Sequence, residues 1–314
     1  MIDMSTHAKL AALIVRCNDL APLPMAVVHP CDVPSLEGAL RAAAVGLIAP
    51  VLVGPQARIR ATAAAAGLDL AAWRILDTPH SHASAERAVA LVREGGVAAL
   101  MKGSLHTDEL MAAVVAKDTG LRTARRLSHV FVMDVPTYAK LLLITDAAVN
   151  ILPSLDDKAD IAANAIELAQ ALGVARPKVA ILSAVETVTA KLPSTIEAAA
   201  LCKMAERGQI KGGVLDGPLA FDNAINREAA RTKGITSEVA GDADILLVPD
   251  LEAGNMLAKT LTFLGGADAG GVVMGARVPI VLTSRADSLT ARLASCAIAV
   301  LDAAARAAQL ARPC

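Results

Sequence analysis

The fold class is indicated by residues 25–67, which read MAVVHPCDVPSLEGALRAAAVGLIAPVLVGPQARIRATAAAAG. Two short apolar runs, Met25 to Val28 and Ile48 to Val53, alternate with two alanine-rich runs, Ser35 to Gly46 and Gln56 to Gly67. Strand-like and helix-like runs in alternation are typical of βαβ units, in which helices cover both faces of a parallel sheet. This stretch therefore predicts an α/β fold with a largely parallel sheet.

The same alternation continues along the rest of the chain. Further strands are predicted at Val97 to Met101, Ser128 to Asp134, Leu141 to Thr145, Lys178 to Ser183, Gly213 to Asp216, Ile245 to Pro249 and Val278 to Thr283, and further helices at Thr107 to Lys117, Asp156 to Leu172, Ser194 to Arg207 and Leu289 to Leu310. A chain of 314 residues exceeds the size at which one hydrophobic core usually stops growing. We therefore expect two domains.

Two interruptions of the alternation mark the predicted domain boundaries. A polar segment that ends at Pro153 breaks it after Thr145, and the glycines between positions 265 and 275 indicate a hinge by which the chain returns. We predict a first α/β domain formed by residues 1–147 and 270–314, a second formed by residues 148–269, and a cleft between them.

Composition argues against several classes of protein. The net charge of −1, with one Trp, one Tyr and three Phe, provides neither a basic surface nor stacking platforms, so nucleic acid is not an expected partner. No run approaches the roughly 18 uncharged apolar residues of a membrane span, and the first 20 residues carry too many charges for a secretory signal. The five cysteines form no C-x-x-C pair, which argues against a disulfide framework or a zinc site. We predict a soluble, cytoplasmic protein.

Three reactive side chains follow the predicted strand Val278 to Thr283. Ser284 can donate a hydrogen bond to developing negative charge, Arg285 can bind a phosphate as a two-pronged donor, and Asp287 can accept a proton. The carboxyl ends of buried strands are where open α/β sheets bind ligands. The same spacing also fits a helix cap, because Ser284 followed by Asp287 resembles a capping box. Spacing alone leaves both interpretations open.

Other polar residues follow predicted strands in the same way. Lys102 and the segment up to His106 join a strand to a helix, so they either contact an anion at the helix N-terminus or form a surface turn. Asp222 belongs to a polar loop, and Asn255 is expected to cap the helix that follows it. These positions make an anion-binding site plausible without specifying its chemistry.

Common catalytic and metal-binding motifs do not occur. The chain contains no G-x-G-x-x-G, Walker A, H-E-x-x-H or G-x-S-x-G, which argues against dinucleotide, NTPase, zinc protease and hydrolase functions. His80 and His82 form an H-x-H, but no third ligand stands at a recognisable spacing. We interpret these two residues as solvated loop histidines and predict no metal site.

Taken together, several segments resemble the phosphate acetyltransferase and phosphate butyryltransferase family, and more closely its butyryl-type branch. The resembling segments are Met101 to Gly103, Gly120 to Thr123, Leu127 to Val130, Ile144 to Asn150, Lys203 to Gly213, Asp216 to Asn226, Lys233 to Asp250, Gly254 to Asn255 and Val278 to Ser288. The similarity covers nearly the whole chain and is more specific than any single motif.

The resemblance implies two α/β domains of the isocitrate dehydrogenase-like fold, usually in a homodimer. It also implies transfer of a short acyl group, acetyl to butyryl, between coenzyme A and inorganic phosphate. The substrates would be acyl-CoA, inorganic phosphate and acyl phosphate, with no metal or organic cofactor. In the implied mechanism a carboxylate deprotonates the coenzyme A thiol, which attacks the acyl phosphate directly.

The resemblance also assigns roles to individual residues. Ser284 and Arg285 match the pair that holds the phosphate and the charged transition state, and Asp287 is the nearest candidate for the base. The family's acetyl-type members have their catalytic Asp at the position of Thr290 and an arginine at the position of Met111. Substrate-binding roles are predicted for Lys102, His106, Asp146, Asn150, Asp222 and Asn255, and Lys102 is a hypothetical replacement for the missing arginine.

Two other functions stay open at this point. The substitutions at Thr290 and Met111 fit a non-catalytic protein that binds acyl-CoA or acyl phosphate without turning it over. A metal- and NAD-dependent dehydrogenase of related fold is a weaker alternative, because the sequence shows neither a cluster of aspartates for a divalent cation nor a cofactor loop.

Overall fold

The computed structural model describes residues 7–282 and 287–311. The chain divides into two compact units. Of the described residues, the first unit contains 11–125, 270–282 and 287–311, and the second contains 7–10 and 126–269. A boundary drawn from compactness does not by itself delimit an independently folding domain, so the domain assignment made from the sequence stays a prediction.

Helices and strands alternate along most of the described chain. In chain order they are α1 (Ala8–Arg16), β1 (Leu23–Val28), α2 (Val33–Ala44), β2 (Ile48–Gly54), α3 (Gln56–Ala66), β3 (Arg74–Asp77), α4 (Ser81–Arg93), β4 (Ala99–Lys102), α5 (Thr107–Val115), β5 (Ser128–Asp134), β6 (Leu142–Thr145), α6 (Leu155–Ala171), β7 (Lys178–Leu182), α7 (Pro193–Glu206), β8 (Val214–Leu219), α8 (Phe221–Ile225), α9 (Arg227–Thr232), β9 (Ile245–Leu247), α10 (Leu251–Phe263), β10 (Asp268–Met274), β11 (Ile280–Val281) and α11 (Leu289–Leu310). The predicted α/β class is confirmed.

The sheet of the first unit has the strand order β3-β2-β1-β4-β11-β10. Strands β3, β2, β1, β4 and β11 run parallel, and β10 pairs antiparallel with β11. Val28 at the end of β1 is the register partner of both Val53 and Lys102. Strands β1, β2 and β4 therefore end at the same edge of the sheet, and the loops that leave this edge form the candidate site.

Helix α11 is a core element of the first unit. All its residues from Ala291 to Asp302 are buried. Among the described helices, α11 alone is long and apolar enough to cross a membrane by length and composition, but 56% of its most apolar window is buried inside the protein. Such burial is what a core helix of a soluble protein shows, because a membrane-spanning helix of this composition would expose its apolar surface to lipid.

The second unit is built on strands in the order β5-β6-β9-β7-β8. Strands β5 and β6 pair antiparallel, whereas β6, β9, β7 and β8 run parallel. Its core brings Ile144 of β6 and Leu246 of β9 into one apolar cluster with Ala224 of α8 and Ala258 of α10. As in the first unit, the pairing is mostly parallel, which agrees with the prediction.

The glycine-rich segment predicted to be a return hinge is a strand instead. Residues Asp268–Met274 form β10, and most of them are buried. A Cβ atom at Gly270 would lie 2.6 Å from Cδ1 of Ile298 and 3.0 Å from the backbone nitrogen of Ser295. The glycine therefore permits close approach of α11 to the sheet. A glycine-rich sequence that serves packing in this way was interpreted as a hinge.

Candidate functional site

Two loops are joined at the carboxyl edge of the first unit. The β4–α5 loop donates from the backbone nitrogen of Gly103 to the Val28 oxygen (2.8 Å) and from the nitrogen of Ser104 to the His29 oxygen (3.0 Å). The Ser104 hydroxyl also donates to the His29 oxygen (2.8 Å) and accepts from the nitrogen of Cys31 (3.3 Å). His29 has a φ of 56°, which is uncommon for a residue with a side chain. These contacts fix the β1–α2 loop against the β4–α5 loop.

A pocket of about 510 Å³ opens beside these joined loops. It is lined by His29, Cys31, Asp32, Pro34, Arg58, Ser81, Ser104, Leu105, His106 and Glu109. These residues come from the segments that follow β1, β2, β3 and β4. The placement is the one expected for a ligand site in a parallel α/β sheet. Of the substrate-binding residues predicted from sequence, His106 lies in this pocket.

Glu109 connects two helix N-termini at the pocket. Its Oε2 accepts from the backbone nitrogen of His106 (3.0 Å), its Oε1 accepts from the Ser81 hydroxyl (3.0 Å), and Oε1 lies 3.4 Å from Nδ1 of His82. Partial burial alone raises the pKa of the Glu109 carboxyl, but the hydrogen bonds from His106 and Ser81 outweigh this effect and hold the pKa below its ordinary value. The carboxylate is therefore engaged in positioning α4 and α5.

The other acid–base groups of the pocket are not activated nucleophiles. Burial, with a further contribution from the positive charge of Arg58, lowers the pKa of His29, so this imidazole is neutral at pH 7. Burial raises the pKa of the Cys31 thiol, and Arg58 only partly opposes that effect. Oδ1 of Asp32 caps α2 by accepting from the backbone nitrogen of Ser35 (2.9 Å). These properties suit a binding pocket better than a covalent reaction centre.

Lys102 ends β4, the strand adjacent to β11. Strands β4 and β11 are parallel, with Met101 the register partner of Val281, so the Lys102 backbone lies where β11 leaves the sheet. Lys102 is half-buried, and its Nζ donates to the Gly103 oxygen (3.2 Å). Ser284 and Arg285 lie outside the described residues, so their roles stay predictions.

Asp287 does not cap α11. The N-cap is Ser288, whose hydroxyl accepts from the backbone nitrogen of Ala291 (2.9 Å), and the helix begins at Leu289. Asp287 is half-buried and precedes the cap, so it does not occupy the third helical position that the predicted capping box requires. Thr290 lies in the first turn of α11.

In the second unit, Asp146 and Asn150 form one buried cluster. The Asp146 carboxylate accepts from the backbone nitrogens of Ala148 (2.9 Å), Val149 (3.1 Å) and Asn150 (3.0 Å). Its Oδ2 also accepts from Nδ2 of Asn150 (2.6 Å), and the Asn150 oxygen accepts from Nε of Arg126 (2.7 Å). Both side chains thus hold the turn that follows β6.

Asn255 is not the cap of its helix. Helix α10 begins at Leu251, and Asp250 caps it by accepting from the backbone nitrogen of Ala253 (2.8 Å). The Asn255 amide donates instead to the Ala147 oxygen (3.2 Å), which brings it to the turn of Asp146 and Asn150. The prediction of a cap was wrong because the true cap lies five residues earlier, three positions after the end of β9.

Asp222 lies at the start of α8 and is exposed. Its Oδ2 is 3.5 Å from Nζ of Lys233, which also donates to Oε2 of Glu186 (3.1 Å). Glu186 and Asp222 follow the carboxyl ends of β7 and β8, and Lys233 follows α9. Nothing in the sequence spacing identified Glu186 or Lys233. Among the residues that the structure describes, no group of three His, Cys, Asp or Glu is placed to hold a metal ion.

His129 of β5 is buried beside the cluster formed by Asp146 and Asn150. Its ring packs edge-on against Phe131, with centroids 4.3 Å apart, and its backbone oxygen accepts from the Thr145 hydroxyl (2.8 Å). Burial lowers the pKa of His129 to about 4, although the negative charge of Asp146 opposes the shift. The imidazole is therefore neutral in the native protein at neutral pH.

The free energy of unfolding is expected to fall as the pH drops from 6.5 towards 4. In this range the unfolded chain protonates His129, whose ordinary pKa is 6.5, while the native imidazole stays neutral. The contribution approaches about 1.4 kcal/mol per pH unit. Urea unfolding at several pH values should give a shallower dependence for His129→Gln than for the unmodified protein. The exposed His82→Gln should keep the original dependence, and equal slopes in all three proteins would contradict the prediction.

Residues 82–300 match the family described as "Phosphate acetyl/butaryl transferase". The chain is 67% identical to a phosphate acetyltransferase of Rhizobium meliloti over 97% of its own length and 96% of that protein. It is 42% identical to a phosphate butyryltransferase of Clostridium acetobutylicum over 92% and 95% of the two chains. A solved branched-chain phosphotransacylase of Enterococcus faecalis is similar with a TM-score of 0.76 and 30% identity, over 90% of this chain and 99% of that one.

Proposed function

The chain belongs to the phosphate acetyl/butyryl transferase family, and from this premise we propose that acetyl is the acyl group it transfers between coenzyme A and inorganic phosphate. Acyl transfer between these two acceptors is the activity of the family, so the chain is an acyltransferase. The choice of acetyl rests on one observation, the 67% identity to a phosphate acetyltransferase, against 42% to a phosphate butyryltransferase. The butyryl-type motifs of the sequence therefore do not fix the substrate.

The proposed reaction is direct attack of the coenzyme A thiolate on the acyl phosphate carbonyl. The thiol loses its proton to a carboxylate, the new carbon–sulfur bond forms, the carbon–oxygen bond to phosphate breaks, and phosphate leaves with the bonding electron pair. Arg285 provides two parallel donors for the phosphate oxygens, and Ser284 provides a third. Asp287 is the proposed base. Its position before the cap supports this role, because Ser288 already satisfies the start of α11.

Asp287→Asn is expected to lower the rate at neutral pH and to remove the rise in rate that follows ionisation of the base. The amide keeps the size of the side chain but cannot accept the thiol proton. The measurement is a pH–rate profile of acetyl phosphate turnover. Ser288→Ala is the matched control, since it removes a helix cap at a cost of about 1 kcal/mol in stability and should leave the shape of the profile intact. Identical profiles for Asp287→Asn and the unmodified enzyme would remove Asp287 from the mechanism.

The function itself is tested by phosphate-dependent release of free thiol. The purified protein would be given acetyl-CoA, propionyl-CoA and butyryl-CoA, with and without inorganic phosphate. Release that requires phosphate and is fastest with acetyl-CoA supports the proposal, and faster release with butyryl-CoA would contradict the choice of acetyl. Binding of coenzyme A without release from any of the three would favour the non-catalytic binding protein, for which Thr290 and Met111 are the motivating substitutions.

We also propose a cytoplasmic homodimer that needs no metal or organic cofactor for the reaction. The resemblance to the family supports these points, and four described cysteines, at positions 17, 31, 202 and 296, are free thiols, as a reducing compartment favours. Light scattering on the purified protein measures the oligomeric state. Full activity after dialysis against a chelator would support the metal-independent reaction.

A further inference from the structure

A buried hydroxyl group of α4 contacts the imidazole of His29. This hydroxyl belongs to Ser84, which is fully buried. Its Oγ lies 2.9 Å from the backbone oxygen of His80, 2.8 Å from Oγ1 of Thr78 and 3.2 Å from Nδ1 of His29. The Thr78 and His29 side chains are also buried. Ser84 is therefore the centre of a small polar cluster inside the first unit.

The hydrogens available in this cluster determine the direction of each contact. A backbone carbonyl oxygen can only accept, so the single hydroxyl hydrogen of Ser84 points to His80. The Ser84 oxygen then has two lone pairs left. It accepts from the Thr78 hydroxyl with one and from Nδ1 of His29 with the other, because two lone pairs facing each other at these distances would repel. His29 therefore carries a hydrogen on Nδ1.

The other ring nitrogen of His29 is a bare hydrogen-bond acceptor. Burial and the positive charge of Arg58 lower the pKa of His29, so its ring holds one hydrogen at neutral pH, and that hydrogen is on Nδ1. Within the part of the chain that the structure describes, Nε2 receives no hydrogen bond. His29 lines the pocket, whereas Ser84 does not. Nε2 is therefore the ring nitrogen that remains for a ligand.

A bare lone pair requires a ligand with a hydrogen to donate. Acetyl phosphate is largely ionised at neutral pH and offers oxygen acceptors, which the lone pair of His29 repels. Inorganic phosphate keeps an O–H, but it is far smaller than a pocket of about 510 Å³. Coenzyme A carries amide, hydroxyl and amino groups that donate hydrogen bonds. Of the substrates of the proposed reaction, coenzyme A therefore fits Nε2 best.

We propose that Ser84 is a positioning residue that holds His29 in its Nδ1–H tautomer, so that Nε2 accepts a hydrogen bond from an N–H or O–H group of coenzyme A. The inference rests on the proposed function, because that function makes coenzyme A a substrate. Ser84 acts only through the imidazole. Without its hydroxyl, a hydrogen on Nδ1 would be buried with no acceptor, so the hydrogen moves to Nε2, where water in the pocket accepts it. The imidazole would then present a donor where the substrate needs an acceptor.

Nitrogen NMR of protein with ¹⁵N-labelled histidine measures the tautomer directly, since a nitrogen that bears a hydrogen and a bare nitrogen have well separated shifts. The chain has six histidines, and the signals of His29 are those that disappear in His29→Asn. Asparagine tolerates the φ of 56° at this position. The unmodified protein should show the hydrogen on Nδ1, and Ser84→Ala should show it on Nε2. A hydrogen on Nε2 in the unmodified protein would overturn the inference, whether or not the protein transfers acyl groups.

Steady-state kinetics tests the contact with substrate. Ser84→Ala and His29→Asn should each raise KM for coenzyme A on the order of tenfold, the effect of one lost hydrogen bond, and leave KM for acetyl phosphate as it is in the unmodified enzyme. Thr78→Val is the matched control. It removes a hydroxyl from the same cluster but leaves Ser84 between His80 and His29, so the tautomer and both KM values should stay unchanged.

Two kinetic results would also overturn the inference. An unchanged KM for coenzyme A in His29→Asn would remove the imidazole from substrate binding, and a rise in KM for acetyl phosphate or inorganic phosphate instead would show that Nε2 is a donor. If the unmodified protein shows no acyl transfer, calorimetric titration with coenzyme A makes the same comparison. Affinity that falls in Ser84→Ala and His29→Asn and persists in Thr78→Val supports the role of Ser84 even when the proposed function fails.

Discussion

Arg285→Lys is expected to lower the rate of acyl transfer by about 10²-fold or more. Lysine keeps the positive charge, so binding of phosphate through simple attraction survives. The ammonium group cannot offer two parallel hydrogen bonds to the phosphate oxygens, and this geometry matters most when the carbon–oxygen bond breaks and negative charge grows on the leaving group. The loss should therefore appear mainly in kcat and not in KM for acetyl phosphate.

The control for this prediction is Arg277→Lys. Arg277 is an exposed arginine that precedes β11 in the same segment of chain, so its replacement tests whether loss of any guanidinium in this region slows the enzyme. It should leave kcat close to that of the unmodified protein. Near-normal kcat in Arg285→Lys would show that Arg285 does not stabilise the transition state.

Gly103→Ala is expected to destabilise the protein by roughly 3 kcal/mol, near the upper end of the usual cost of overpacking. An added Cβ atom would overlap the Val28 oxygen and would lie 2.7 Å from the His29 oxygen. Both are backbone atoms of the β1–α2 loop, and they cannot move without breaking the hydrogen bonds that join this loop to Gly103 and Ser104.

Urea unfolding measures the change in stability. Gly96→Ala is the matched control, since the nearest atoms to its added Cβ lie at an ordinary contact distance of 3.5 Å. It should be neutral or slightly stabilising, because alanine reduces the freedom of the unfolded chain. Equal stability of the two variants would show that the loops can separate without cost.

The predictable part of the fold is the part with strong local patterns. Strand β5 at Ser128–Asp134 and helix α11 at Leu289–Leu310 have the predicted bounds, because β5 is centred on the apolar run Val130 to Met133 and α11 is a long alanine-rich run. Strand β11 is shorter than predicted and contains only Ile280–Val281. A strand ends where its neighbours stop pairing with it, and the β-branched residues of the sequence do not show where that pairing stops. Strand β10 was missed because its glycines are typical of a loop in sequence, whereas in the fold Gly270 allows α11 to pack closely against the strand.

The residues of the candidate site also divide into those that a local pattern predicts and those that only the fold brings together. His106 was found because it follows β4 directly, where parallel strands place ligand-binding residues. Arg58 and Glu109 were missed because each lies inside a helix, several positions beyond its strand, and only the folded arrangement of four neighbouring loops brings them to one pocket. The capping error at Asn255 has a local cause, since Asp250, three positions after the end of β9, was the better cap by position.

The order of strands in the first unit has a consequence for synthesis of the chain on the ribosome. Strand β11 pairs with both β4 and β10, and α11 follows it in the chain. Until β11 and α11 have left the exit tunnel, β4 has an open edge and the apolar surface that α11 covers is exposed to water. The second unit has all its strands once Leu247 has left the ribosome, whereas the sheet of the first unit stays incomplete until β11 has followed. Chains that stall before α11 is made should therefore be preferred substrates for chaperones and proteases.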